Sequence, residues 1–187
     1  YGLGEAFIEK EIKVAGKNYD EIILLPCQVE NIDDKPRPVP NNVKVFPISK
    51  KSKFELMFYG IIYFLKGVIN GELVKEFSYC ENWGQYCFSI YFYGKVKMIE
   101  KNCKRILAEK MDGKCSYTFY SYWFFDTALV ALYLRKYFNL ENKSIVVTRG
   151  HGYDVYKNRN RFGYMPFRNQ TLDKIEKVYI CSEEGKR

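Results

Sequence analysis

The stretch Ile145-Val-Val-Thr-Arg-Gly-His-Gly-Tyr-Asp-Val-Tyr156 decides the fold: a short β-branched, apolar run halts at two glycines that flank the chain's only histidine. Residues Ile145 to Thr148 suit a strand buried on both faces of a parallel sheet, and Gly150 and Gly152 let the backbone beyond it turn tightly. Ligands of open α/β sheets gather at the carboxyl ends of the strands. Arg149, His151 and Asp154 therefore fall where a ligand would sit: a fixed cation, a group that titrates near neutrality, and a carboxylate. The plain alternative is a polar loop carrying a surface histidine, and these residues alone do not displace it.

Working outward, helical and extended patterns alternate. Glu5 to Val14 carries apolar side chains at Phe7, Ile8 and Ile12, and Gly16 ends that helix before a strand at Glu21 to Leu25. Pro36, Pro38 and Pro40 make Asp33 to Asn42 an extended loop, followed by a short strand at Val43 to Phe46. Two helices are predicted next, over Phe54 to Ile69 and from about Tyr86 to Met111. In the second, Phe88, Phe92, Val96, Ile99, Cys103 and Ile106 form a core-facing stripe, which leaves Lys95, Lys97, Lys101 and Lys104 on a solvated face. Ser116 to Tyr122 reads as a strand and Phe125 to Phe138 as a helix. Beyond the Ile145 strand come a short helix at Leu172 to Glu176, a strand at Val178 to Cys181, and a helix capped by Ser182. This alternation predicts an α/β fold: one Rossmann-like, doubly wound, mainly parallel sheet in a single domain.

Composition narrows the class. The 187 residues are 47% hydrophobic and 28% charged, which describes a globular chain and not a disordered one. A net charge of +8 implies an acidic partner. Nucleic acid is disfavoured, because no glycine-aromatic RNA signature, zinc finger or base-reading basic helix accompanies the charge. The six cysteines lack the close paired spacing of a zinc site and read as reduced, mostly buried thiols of a cytosolic protein. The Phe54 to Ile69 stretch is too short to span a membrane and contains Glu55 and Lys66, so a core or interfacial helix is expected there. The lysine face of the longer helix, with Lys50, Lys51 and Lys53 beside the Phe54 stretch, could rest on an anionic membrane.

Several segments, in order, carry a family resemblance. Tyr1-Gly-Leu-Gly-Glu-Ala-Phe-Ile-Glu-Lys-Glu-Ile12 resembles the glycine loop and first helix of bacterial glycosyltransferases of family 4, whose pattern is roughly P-Y-G-x-G-E-x-F-I-E-x-E-I. Tyr120-Ser-Tyr-Trp123, Arg149 to Tyr156, Tyr164-Met-Pro-Phe-Arg168 and Ile180-Cys-Ser-Glu-Glu-Gly185 resemble further landmarks of the same half, as found in capsule and exopolysaccharide synthesis. The resemblance is weak over residues 30 to 110. It implies the acceptor-side half of a GT-B enzyme, a hexosyltransferase-like protein of the cytoplasm or the inner face of the plasma membrane. Such an enzyme moves sugar from a nucleotide-sugar donor to a glycan or lipid-linked acceptor with retention. The leading strand and the whole donor domain are then expected to be missing, and the isolated domain inactive.

The resemblance also implies site roles. His151 would contact the donor sugar or steady the reacting centre, with the leaving phosphate stabilised by side chains and backbone donors and no metal or other cofactor. Gly2 and Gly4 would let backbone N–H groups approach an anion at the start of the first helix; Glu5 opposes this, and a plain turn reads equally well. Tyr122 and Trp123, with Tyr120, end a predicted strand and could stack on sugar, although aromatic side chains are more often core. Arg149 and Arg168 could meet phosphate. Either could instead pair with Asp154 or Asp173, which the residues favour for Arg168. A non-catalytic interaction domain of a polysaccharide assembly complex is the rival reading.

Overall fold

The computed structural model describes residues 6–31 and 37–181, with side chains from Ile8 onward. The chain forms two compact units, Tyr1–Ser52 and Lys53–Arg187. In the first, helix α1 (Ala6–Ala15) precedes strands β1 (Ile22–Leu24) and β2 (Val43–Val45). The strands pair in parallel, Ile22 opposite Val43, and an isolated parallel bridge joins Val29 to Ser49 further along. Asn42 fastens the end of α1, its amide donating to the carbonyls of Gly16 and Tyr19 at 2.8 Å each. A side chain at Gly16 would press on the Pro40 ring, 3.0 Å from where its Cβ would lie.

The second unit begins with three helices, α2 (Lys53–Ile69), α3 (Glu72–Phe77) and α4 (Trp83–Leu107). Strand β3 (Tyr117–Ser121), α5 (Asp126–Tyr137), β4 (Ser144–Gly150), α6 (Gly152–Val155), α7 (Arg168–Leu172) and β5 (Lys177–Ile180) complete it. Its sheet has the order β3-β4-β5, all parallel, with Phe119 opposite Val146 and Thr148 opposite Val178. The architecture is thus α/β with parallel strands in two small sheets, one of two strands and one of three. Helix α5 packs on β3 and β4. Phe119, Ser121, Val146 and Thr148 form a buried face. On the opposite face Tyr120, Ile145 and Tyr179 remain 43–49% exposed, so Ile145 does not share the two-sided burial expected of its strand.

Three boundaries differ from expectation for local reasons. Helix α4 starts at Trp83 because the Asn82 side chain caps it, accepting the Gln85 N–H at 3.1 Å. Helix α3 follows Gly71, whose φ of 73° breaks the run from α2. The short helix expected at Leu172 to Glu176 lies at Arg168–Leu172 instead. Phe167, with φ 59° and almost fully buried against Phe92 and Tyr93, sets its start. Glu176 serves the sheet: its carboxylate accepts the Val146 N–H at 2.7 Å and pairs with Arg135.

Helices α2 and α4 cross on glycines. A Cβ on Gly94 would sit 2.2 Å from the Leu56 carbonyl oxygen, and one on Gly60 would sit 2.4 Å from that of Ile90, so the backbones touch. The expected solvated lysine face of α4 is a correction: only Lys101 is exposed there. Lys95 lies against the buried Asp126 carboxylate. Lys97 reaches Glu100 at 3.1 Å and Glu72 at 3.8 Å and covers the Tyr133 ring at 3.8 Å. Lys104 also pairs with Glu100 and lies over the Tyr137 ring. Burial first, and then the neighbouring carboxylate Glu72, push the Tyr93 and Tyr133 hydroxyls well above the ordinary tyrosine range.

The cysteines are less enclosed than expected. All six are free thiols; Cys103 is buried, Cys27, Cys80 and Cys87 are half-buried, and Cys115 and Cys181 are exposed. No helix among the described residues is long and apolar enough to cross a membrane.

Candidate functional site

The carboxyl ends of β3 and β4 bring Tyr122, Trp123, Arg149 and His151 together. Parallel pairing of Ser121 with Thr148 fixes the register, so the residues that follow each strand emerge side by side. The His151 ring lies 4.3 Å from the Trp123 ring and 5.1 Å from that of Tyr122, centroid to centroid. Tyr122 and Trp123 meet edge to face. The Arg149 guanidinium sits 5.3 Å from the Tyr122 ring centre and donates to its hydroxyl at 3.4 Å. Trp123 is 40% exposed, a solvent-facing aromatic face beside a histidine and a cation.

This shelf is rigidly held from below. The Trp123 carbonyl accepts hydrogen bonds from the Ser121 hydroxyl at 2.6 Å and the Thr127 hydroxyl at 3.3 Å. Thr148, fully buried, donates to the Ser121 carbonyl at 3.0 Å. Asp154 is the keystone. Its carboxylate accepts the Phe124 N–H at 2.7 Å and the His151 N–H, tying the loop after β3 to the loop after β4. Nδ1 of His151 is buried 3.8 Å from Asp154 Oδ2, so the part of the ring open to solvent is its other edge.

Asp154 was expected to face a ligand, and it does not: its side chain is completely enclosed, occupied with two backbone N–H groups. Arg168 is likewise turned inward. It donates to the backbone carbonyls of Phe124, at 2.6 Å, and of Asp154, and stacks over the Phe124 ring at 3.6 Å. The expected partner Asp154 is therefore met through its carbonyl and through the field of its carboxylate, and among the described residues Arg168 forms no ion pair with Asp173. Burial lowers the guanidinium's pKa to about 10, partly offset by Asp154. Gly2, Gly4 and Glu5 of the expected anion turn, and the helix start at Ser182, lie outside the described residues.

A second polar cluster was not foreseen. Glu76 of α3 is buried, and its carboxylate accepts from the Tyr164 hydroxyl, from the Phe167 N–H at 2.7 Å and from the Gln170 amide at 3.1 Å. Burial raises its pKa, opposed by those three hydrogen bonds. A cavity of about 290 Å³ opens beside it, walled by Tyr79, Glu81, Lys157, Met165, Arg168 and Asn169 as well. His151 and Trp123 do not line this cavity. The Tyr164 to Arg168 segment thus builds the support for the rim, while the aromatic shelf itself lies open. Comparison of the chain with protein-family models, with curated proteins and with solved structures finds no match.

Proposed function

We propose that this chain is the acceptor-side part of a glycosyltransferase that moves a sugar from a nucleotide-sugar donor to a glycan or lipid-linked acceptor, and that its finer architecture is doubly wound and Rossmann-like. One observation carries the reading: His151 is packed against Trp123 and Tyr122 at the carboxyl ends of two parallel strands, with Arg149 alongside. That edge is where open α/β sheets bind ligands. Aromatic faces suit the apolar faces of sugar rings, and a guanidinium suits the diphosphate of a departing nucleotide. Breaking the bond to that diphosphate builds negative charge on the leaving group and positive charge on the anomeric carbon. In this reading the solvent-facing edge of His151 steadies the reacting centre, Trp123 and Tyr122 orient the sugar, and Asp154 fixes the histidine backbone so that little reorganisation is needed.

The test is turnover and thermal stability measured on the same preparation of catalytically competent protein. His151→Ala is expected to lower kcat by roughly ten- to a thousandfold, the range for losing one positioned catalytic group, with Tm almost unchanged. Normal turnover combined with a lowered Tm would make His151 a structural residue and remove the reading's main support.

A further inference from the structure

Helix α2 exposes a continuous apolar stripe: Phe54, Phe58, Ile61, Ile62, Leu65 and Ile69 are each between 54% and 89% exposed. Their spacing puts all six on one face, opposite Leu56, Gly60 and Gly67, which are buried. At 1.5 Å per residue the stripe runs for about 23 Å. Isolated exposed apolar residues are ordinary, whereas a contiguous row of six large ones marks a surface that is covered in use.

We infer that this face docks on an anionic lipid bilayer, with the helix lying in the plane of the interface. Charge supports that occupant. Lys53 and Lys66 on α2 and Lys75 on α3 are exposed and form no ion pair among the described residues, and the chain as a whole carries +8. Large apolar residues on one face, with Lys66 beside it and Glu55 as the one acidic residue of α2, fit an interfacial helix, whose affinity adds apolar burial to attraction for acidic headgroups. The stripe is a poorer seam for a second copy. If Phe54, Phe58, Ile61 and Leu65 are set at alternating core positions, the flanking places fall mainly on Met57, Ile62, Phe64 and Ile69, which leaves little charge to fix register and partner. The buried lysines of α4 take no part. This inference stands apart from the sugar-transfer reading, since no residue of the His151 shelf enters it.

Co-sedimentation of the 187-residue chain with vesicles tests it, comparing pure phosphatidylcholine with phosphatidylcholine containing phosphatidylglycerol. The chain is expected to bind the anionic vesicles at least about tenfold more tightly, as three lysines near a charged surface should ensure. F58S/L65S should lose at least about tenfold of that binding while keeping its far-UV circular dichroism. K53E/K66E/K75E should lose the preference for phosphatidylglycerol. Absence of binding to anionic vesicles, or F58S/L65S binding like the parent, overturns the inference. So does a dimer of the parent chain that F58S/L65S dissociates without any vesicle binding, an outcome that assigns the face to a second copy.

Discussion

Helices α2 and α4 lie against each other and have opposite relations between sequence and surroundings. The apolar helix α2 turns six large hydrophobic side chains outward, while the lysine-bearing helix α4 turns three of its lysines inward. The contact between them explains how both can hold. Gly60 and Gly94 bring the backbones so close that the crossing needs little side-chain bulk, and α2 is fixed with its outer face still free. Helix α4 is packed by α2, α3 and α5 together, so little of its circumference stays open and its lysines must find carboxylates. A polar face on a helix indicates solvent only where no further layer covers it.

The strongest way to break this comparison is to remove one partner of an inward lysine. Asp126→Ala leaves the largely buried Lys95 without its carboxylate, and a loss of about 3 kcal/mol or more is expected from an uncompensated buried charge. Lys101→Ala, on the exposed side of the same helix, should shift stability by less than about 0.5 kcal/mol. Urea melts of the two variants check both values. Equal, small effects would mean that the inward lysines are solvated in solution.

The contrast also marks what the sequence can disclose. The parallel strands were legible because each is a short β-branched or aromatic run bounded by turns, and the meeting of His151 with Trp123 follows once β3 and β4 are neighbours. Glu100 stands three residues from Lys97 and four from Lys104, so those pairs were visible in the spacing. Glu72 and Asp126 were not, because they reach α4 from other elements. Helix α3 is too short for periodicity to show, and with it went Glu76, whose partners lie 88 to 94 residues further on. The position of Asp154 does carry a signal in the sequence. A carboxylate three residues after a turn residue commonly reaches back to the backbone N–H there, and the Asp154 carboxylate does this to His151.

A smaller effect sharpens the comparison by adding a buried acid that has no lysine. Glu76 is enclosed like the carboxylates facing α4 but is held by neutral donors, and its pKa is raised. With a folded-state pKa above the unfolded value, the folded protein holds this proton more tightly. Its contribution to stability is full below the unfolded pKa and is lost as pH rises through the folded one. Glu76→Gln cannot ionise, so its stability relative to the parent should improve as pH rises from the unfolded pKa through the folded one. Denaturant melts across that range would show it; a relative stability that stays flat or worsens would mean that Glu76 is ionised as readily in the fold as in the unfolded chain.

The smallest expected effect lies on α2 itself. Phe58 and Leu65 are 62% and 70% exposed, so truncating them opens no cavity and releases little buried area. Phe58→Ser and Leu65→Ser should each change the free energy of unfolding by less than about 0.5 kcal/mol, within the range of ordinary surface substitutions. Serine has a lower helix propensity than leucine, by up to about 0.5 kcal/mol, which sets the direction of any residual loss. A cost of about 2 kcal/mol or more, of the kind seen when a core leucine is cut back, would mean that the stripe is packed against other parts of the chain in solution. In that case α2 would be an ordinary buried helix, and the opposition between the two helices would reduce to the lysines of α4.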